Sequence, residues 1–215
     1  MTSSTKEQAD LLRQEIMKTA CEKGMGHIAP SLSCLDILVV LYHNFPKDIV
    51  ILSKGHGCYG IYALKGQWGK GCLDGFGSLG HGLPIAVGLA LGYRLLNKDR
   101  HVFCIVGDGE LQEGSMWEAL NVMQHYKLNN ITVIVDNNGL QAMDRVENIL
   151  SHDLVKRFEA WGLDTCVCDG HNHDKLNYLL KFKPQVIIAN TVKGKGFKFM
   201  ENIPKWHYRI PDEQR

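Results

Sequence analysis

Two apolar runs, HVFCIV (101–106) and ITVIVD (131–136), constrain this chain more than any other feature. Each is short and rich in β-branched residues, the pattern of a strand covered on both faces. Between them GDGELQEG leads into SMWEALNVMQHY, where Ser115 and Glu118 stand at capping-box spacing and predict a helix over Ser115–Tyr126. Strand, loop, helix and strand of this size make a right-handed βαβ crossover, which requires parallel strands. The alternation continues with a helix near Asp153–Trp161, a strand LDTCVCD (163–169), a helix near Asp174–Phe182 and a strand VIIAN (186–190). The predicted class is therefore α/β, a mainly parallel sheet with helices on both faces.

Upstream, Ser4 and Glu7 form a second capping box ahead of Leu12, Ile16 and Ala20, predicting a helix over Thr5–Glu22 that Gly24 stops. SLSCLDILVVLYHN (31–44) reads as one largely buried helix opened by Ser33 and Asp36, and KGMGHIAP (23–30) as a loop carrying His27. DIVILSKGHG (48–57) is a strand ending in the glycine-flanked His56, and the glycine-rich stretch 65–84 is expected to be irregular. IAVGLALGYRLL (85–96) reads as a helix whose Gly88 and Gly92 permit close packing against a neighbour.

Charge narrows the partners. Lys and Arg total 24 against 23 Asp and Glu, so neither a nucleic acid nor an anionic membrane is expected as the main partner. No apolar run reaches bilayer length, and the N-terminal stretch lacks a signal-peptide pattern. The seven cysteines form no C-x-x-C pair, as expected of reduced thiols in a cytoplasmic protein. Cys166 and Cys168 face one side of a strand, yet two thiols are too few to assign a metal.

In a right-handed βαβ unit the loops after both strands emerge at the same carboxyl edge, which brings Asp108 beside DNNGLQ (136–141). Glycines 107 and 109 let the backbone approach a ligand, and the following helix offers unpaired N–H groups to a phosphate. A carboxylate there would repel a bare diphosphate unless a divalent cation lay between them. Oxygen ligands from Asp108 and Asn138 favour Mg²⁺ over Zn²⁺. Neither the dinucleotide G-x-G-x-x-G pattern nor the nucleotide-binding G-x-x-x-x-G-K-[ST] pattern is present.

The segment GDGELQEGSMWEALNVMQHYKLNNITVIVDNNGLQ resembles the thiamin-diphosphate signature of transketolases. GHIAPSLSCLDIL, ILSKGHG, GSLGHGLPIAVGLALG, DGHN and TVKGKGFKFMEN follow in the order of that family's diphosphate-binding domain, as in enzymes split into two polypeptides. The resemblance implies the thiamin-diphosphate-binding fold, with residues 1–215 forming a single diphosphate-binding domain. It implies that Asp108, Asn138 and the Leu140 carbonyl hold Mg²⁺, or Ca²⁺ or Mn²⁺ in its place, and that Gly109 lies against the diphosphate. Gly77 and Leu79 match positions facing the aminopyrimidine, His56 and His207 match histidines reaching cofactor and substrate, and His27 matches one facing the reacting hydroxyls. His27, His56 and His207 are thus the candidate catalytic residues. Glu113 and Glu118 match acids of a network across an interface between chains, or are simply a solvated helix start and a capping acid. Lys193 and Lys195 either meet a phosphate or solvate a loop.

The resemblance further implies transfer of a two-carbon ketol unit from a ketose to an aldose, with phosphorylated sugars as the expected substrates. The activating glutamate of that family lies on its pyrimidine-binding domain, so a C-terminal partner chain is expected to supply it in an α2β2 assembly. The alternatives are a thiamin-diphosphate-dependent carboligase or lyase acting on an unusual sugar, and a non-catalytic cofactor-binding subunit. This chain departs from the family in three places. Only residues 63–76 separate Tyr62 from Gly77, where the family carries a longer segment with another histidine. His81 stands where glutamine is common, and Tyr208 follows His207 where glycine is usual.

Overall fold

The computed structural model describes residues 4–68, 78–151 and 153–211. Five strands, β1 (Ile49–Leu52), β2 (Val102–Gly107), β3 (Ile131–Asn137), β4 (Thr165–Asp169) and β5 (Val186–Asn190), form one parallel sheet in the order β1-β2-β3-β5-β4. Val102 pairs with Ile131 and Gly107 with Asp136, so β2 and β3 end level and their loops open at the same edge.

Alternation along the strands feeds two cores. Val102, Cys104 and Val106 of β2 pack with α5 (Gly82–Leu95), α6 (Gly114–His125) and α8 (Leu154–Ala160). Phe103 and Ile105 point the other way, into α3 (Leu35–Asn44) and α9 (His173–Phe182). A third layer outside α3 holds α1 (Thr5–Glu22) and α2 (Ile28–Ser33), packed around Tyr59, Met200 and Trp206. The α/β class with helices on both faces is as expected, and α1 has the predicted ends and capping box. Two short helices, α4 (Tyr59–Lys65) and α7 (Val146–Leu150), add to the expected set.

Three local expectations fail for tertiary reasons. The single helix over 31–44 is broken at Cys34 into α2 and α3, and α2 starts inside the expected loop, at Ile28. Ser33 caps nothing: its hydroxyl donates to the Asp136 carboxylate at 2.6 Å and lies 3.0 Å from the Pro30 carbonyl oxygen. Ser115 caps nothing either, since α6 begins one residue earlier and the hydroxyl donates to the Gly80 carbonyl at 2.7 Å. In each case an acceptor supplied elsewhere in the fold wins over the local cap.

A Cβ built at Gly88 or Gly92 meets nothing within 4 Å, so their capacity for close packing is not used among the described residues. Cys166 and Cys168 both pack into the α3–α9 core, and no cluster of metal-ligating side chains occurs among the described residues. No described helix is long and apolar enough to cross a membrane. Gly77 and Cys72, with the rest of residues 69–77 of the glycine-rich stretch, lie outside the described residues.

Candidate functional site

A cavity of about 240 Å³ opens where β2 and β3 end, and His27, Lys54, His56, Leu79, Asp108, Gly109, Glu110, Asn138, Leu140, Gln141, Lys193 and His207 all face it. Asp108 follows the last residue of β2 and is almost fully buried. Its carboxylate accepts from the backbone N–H of Gly109 at 2.8 Å and from that of Gly139 in the facing loop. The two loops predicted to meet are therefore tied directly to each other. Burial, reinforced by the neighbouring Asp136 charge, pushes the Asp108 carboxyl up to about 6 against those two N–H groups. A cation beside it would restore the ionised form.

Nearby, the Asn138 side-chain oxygen accepts from Leu140 N–H at 3.1 Å, while the amide nitrogen donates to Asp136 at 3.3 Å. The Leu140 carbonyl accepts from the Lys193 ammonium at 3.1 Å, as does the Gln141 carbonyl at 3.2 Å. Asp108, Asn138 and Leu140 all line this cavity and carry oxygens of the type a hard divalent cation takes. One further observation fits an anionic ligand against them. The Gln141 side-chain nitrogen is buried with no partner among the described residues. A Cβ at Gly109 would lie 2.6 Å from the Gln141 side chain, so glycine is what lets that side chain pack against the loop.

Lys193, only 2% exposed, has its ammonium 2.7 Å from His207 Nδ1. Burial, with repulsion from Lys54, lowers it to about 7. Of the two lysines whose role the sequence leaves open, Lys193 reaches the cavity and Lys195 does not.

Three histidines close the opposite wall. Ring centroids of His27 and His56 are 5.4 Å apart, His27 and His207 5.4 Å, and His56 and His207 5.3 Å. They come from the turn before α2, the 3-10 turn Gly55–Gly57 after β1, and the 3-10 turn Pro204–His207. Burial is the main cause that lowers all three; His56, also facing Lys54, falls to about 2, and His207, also facing Lys193, to about 3. The group is neutral at physiological pH and can donate or accept a proton once an anion raises its basicity.

Glu113, just before α6, and Glu118, on it, are exposed and do not face the cavity. His81 is also exposed, its Nδ1 2.9 Å from the Leu79 carbonyl oxygen. Conversely, residues without an assigned role prove central. Glu110 accepts from the Ser53 hydroxyl at 2.5 Å, Gly80 N–H at 3.0 Å and Gly107 N–H at 3.0 Å, lacing three segments together under the cavity. Lys54 and Asp136 form a buried ion pair, with Lys54 also donating to the Pro30 carbonyl at 3.0 Å. The only sequence signal for Lys54 was its place next to the Gly-His-Gly turn.

Residues 70–207 match the family model described as transketolase, thiamine diphosphate binding domain. The chain is 35% identical to one of the subunits of apulose-4-phosphate transketolase from Actinobacillus succinogenes, matching 93% of this chain and 88% of that protein. It is 30% identical to the protein of the same name from Phocaeicola vulgatus, over 97% of this chain and 89% of that one. Among solved structures, transketolase from Campylobacter jejuni superposes with a TM-score of 0.86 at 27% identity, covering 98% of this chain. The chain spans only 41% of that transketolase's length.

Proposed function

Because the chain belongs to the transketolase thiamine diphosphate-binding family, we propose that it is one component of a split, thiamin-diphosphate-dependent enzyme moving a two-carbon ketol unit from a ketose to an aldose. The observation that carries this reading is the meeting, at one cavity, of the Asp108–Asn138–Leu140 oxygen group with Lys193 and three neutral histidines. Asp108, Asn138 and the Leu140 carbonyl would hold Mg²⁺, and Gly109, Gln141 and Lys193 would receive the diphosphate. When bound, thiamin diphosphate supplies a nucleophilic carbon and an electron sink that this chain lacks.

The chain's own residues orient and move protons. His27, His56 and His207 take and return hydroxyl protons of the sugar, and burial keeps them unprotonated until an anionic ligand arrives. The exposed Glu113 and Glu118 are available to a neighbouring chain. A second polypeptide, carrying the pyrimidine-domain acid, completes the enzyme in a complex with two copies of each chain. Both relatives are named as one subunit of a transketolase, which supports such a partner, and apulose 4-phosphate is the first donor to try.

The test is calorimetry of thiamin diphosphate on the reconstituted complex with and without Mg²⁺, followed by product analysis with a panel of phosphorylated ketoses. We expect Mg²⁺-dependent binding and a two-carbon transfer. Asp108→Asn should weaken that binding by at least the roughly 10–100-fold that supporting residues of metal sites are worth. Binding that ignores both Mg²⁺ and the substitution would overturn the assignment.

A further inference from the structure

His27 is held in an unusual way. Its backbone is left-handed, with φ 61°, a conformation that is strained for a non-glycine residue and persists where neighbours enforce it. Among the described residues no side-chain hydrogen bond fixes its imidazole, whose surroundings are rings: His56 and His207 on the cavity side, and Tyr208 at 4.8 Å, edge to face, on the outside. The Tyr208 segment is in backbone contact with the residue before it. A Cβ at Gly26 would lie 2.3 Å from the Tyr208 carbonyl oxygen and 3.0 Å from its ring, so glycine is required for this approach. On the far side the Tyr59 hydroxyl donates to the Gly26 carbonyl at 2.5 Å. Gly26 is therefore clasped between two tyrosine segments, and His27 inherits its position from the clasp.

We infer that Tyr208 is a positioning residue that acts through His27, its ring forming the outer wall that holds the imidazole toward the cavity. Without the ring that face of His27 would be open. The inference rests on His27 moving a proton in the reaction proposed above, while the clamp itself is a property of this chain alone. The groups that face His27 are His56, His207, Tyr208 and the Lys193 charge. Removing the tyrosine ring lets water reach the imidazole without altering the other three.

The experiment uses Tyr208→Ala and Tyr208→Phe in the reconstituted complex, each also combined with His27→Ala. Tyr208→Ala should lower kcat by roughly ten- to hundredfold, the scale of a misplaced catalytic group, with thiamin diphosphate affinity unchanged. Tyr208→Phe, which keeps the ring, should restore kcat to within about twofold of the parent. In the His27→Ala background Tyr208→Ala should cause no further loss, as expected of two residues acting as one unit. A kcat for Tyr208→Ala within about twofold of the parent, or a full additional loss in the double variant, would overturn the inference. On the chain alone, the His27 Cε1 proton signal should titrate at higher pH in Tyr208→Ala than in the parent or Tyr208→Phe. An unmoved midpoint sinks the clamp even if the functional reading stands, and a moved midpoint without any ketol transfer sinks the functional reading while the clamp survives.

Discussion

Four donors converge on the Asp136 carboxylate at the end of β3: the Lys54 ammonium, the Ser33 and Thr191 hydroxyls, and the Asn138 amide. Burial opposes its ionisation, but Lys54 and the two hydroxyls outweigh it and hold the carboxyl below its ordinary range; Lys54 is raised in turn by the same pairing. Removing one partner of such a pair leaves a buried charge uncompensated. Asp136→Asn should therefore cost about 3–5 kcal/mol, read as a lower denaturant midpoint. Much of the cavity lining was legible residue by residue, because Asp108, Asn138, His27 and His56 stand beside glycines at strand ends or in loops, where chains meet ligands. Asp136, Glu110 and Lys54 were not. Their partners lie 82 residues apart for Lys54 and Asp136 and 57 for Glu110 and Ser53, and no local pattern encodes a pairing of that range.

Elements meet the site through close approaches of backbone. At the start of α5, a Cβ on Gly82 would fall 2.5 Å from the Cα, Cβ and Oγ of Ser53, just beyond β1. Gly82 N–H donates to that Ser53 oxygen at 3.1 Å, and Ser53 in turn donates to Glu110. Gly82→Ala must push α5 off β1 and break this chain of bonds, so we expect a loss of about 1–3 kcal/mol in the unfolding transition, the range of forced overpacking. It should be accompanied by weaker thiamin diphosphate binding. Helix ends set by local chemistry, such as those of α1, could be read from the sequence. The break at Cys34 and the uncapped start of α6 could not, because Ser33 and Ser115 serve acceptors supplied by other elements. Glycine spacing in α5 invited a packing partner, yet Gly88 and Gly92 face open space.

For the molecule as a whole, acid is the expected weakness. His56 is held at about 2, and His101 and His207 at about 3, with burial first among the causes and nearby lysine charge second. Unfolded, each returns to about 6.5, so below that pH the unfolded chain binds more protons than the folded one. The stability these neutral histidines represent is complete above about 6.5 and drains as pH falls toward 3. Asp36 acts lower down: burial opposes its charge, but hydrogen bonds from His171 and His173 and the Arg13 guanidinium hold it well below the carboxylate range. Its contribution is present above about pH 4 and is lost as acid protonates it. Lys193, lowered to about 7, adds a decline already under way at pH 8, and Asp108, raised to about 6, offsets part of the histidine loss. Urea midpoints of the metal-free chain should therefore fall from pH 8 to 4, more steeply below 6.5, and a constant midpoint between 6.5 and 4 would contradict the histidine burial. The strand order carries a consequence of another kind. β5, made after the other four, belongs between β3 and β4, and it brings Thr191 to Asp136. A ribosome that has released only β1 to β4 therefore holds a sheet with a gap between β3 and β4, and its assembly must wait for the fifth strand. Until β5 is present the facing edges of β3 and β4 are unpaired, a state open to wrong pairing.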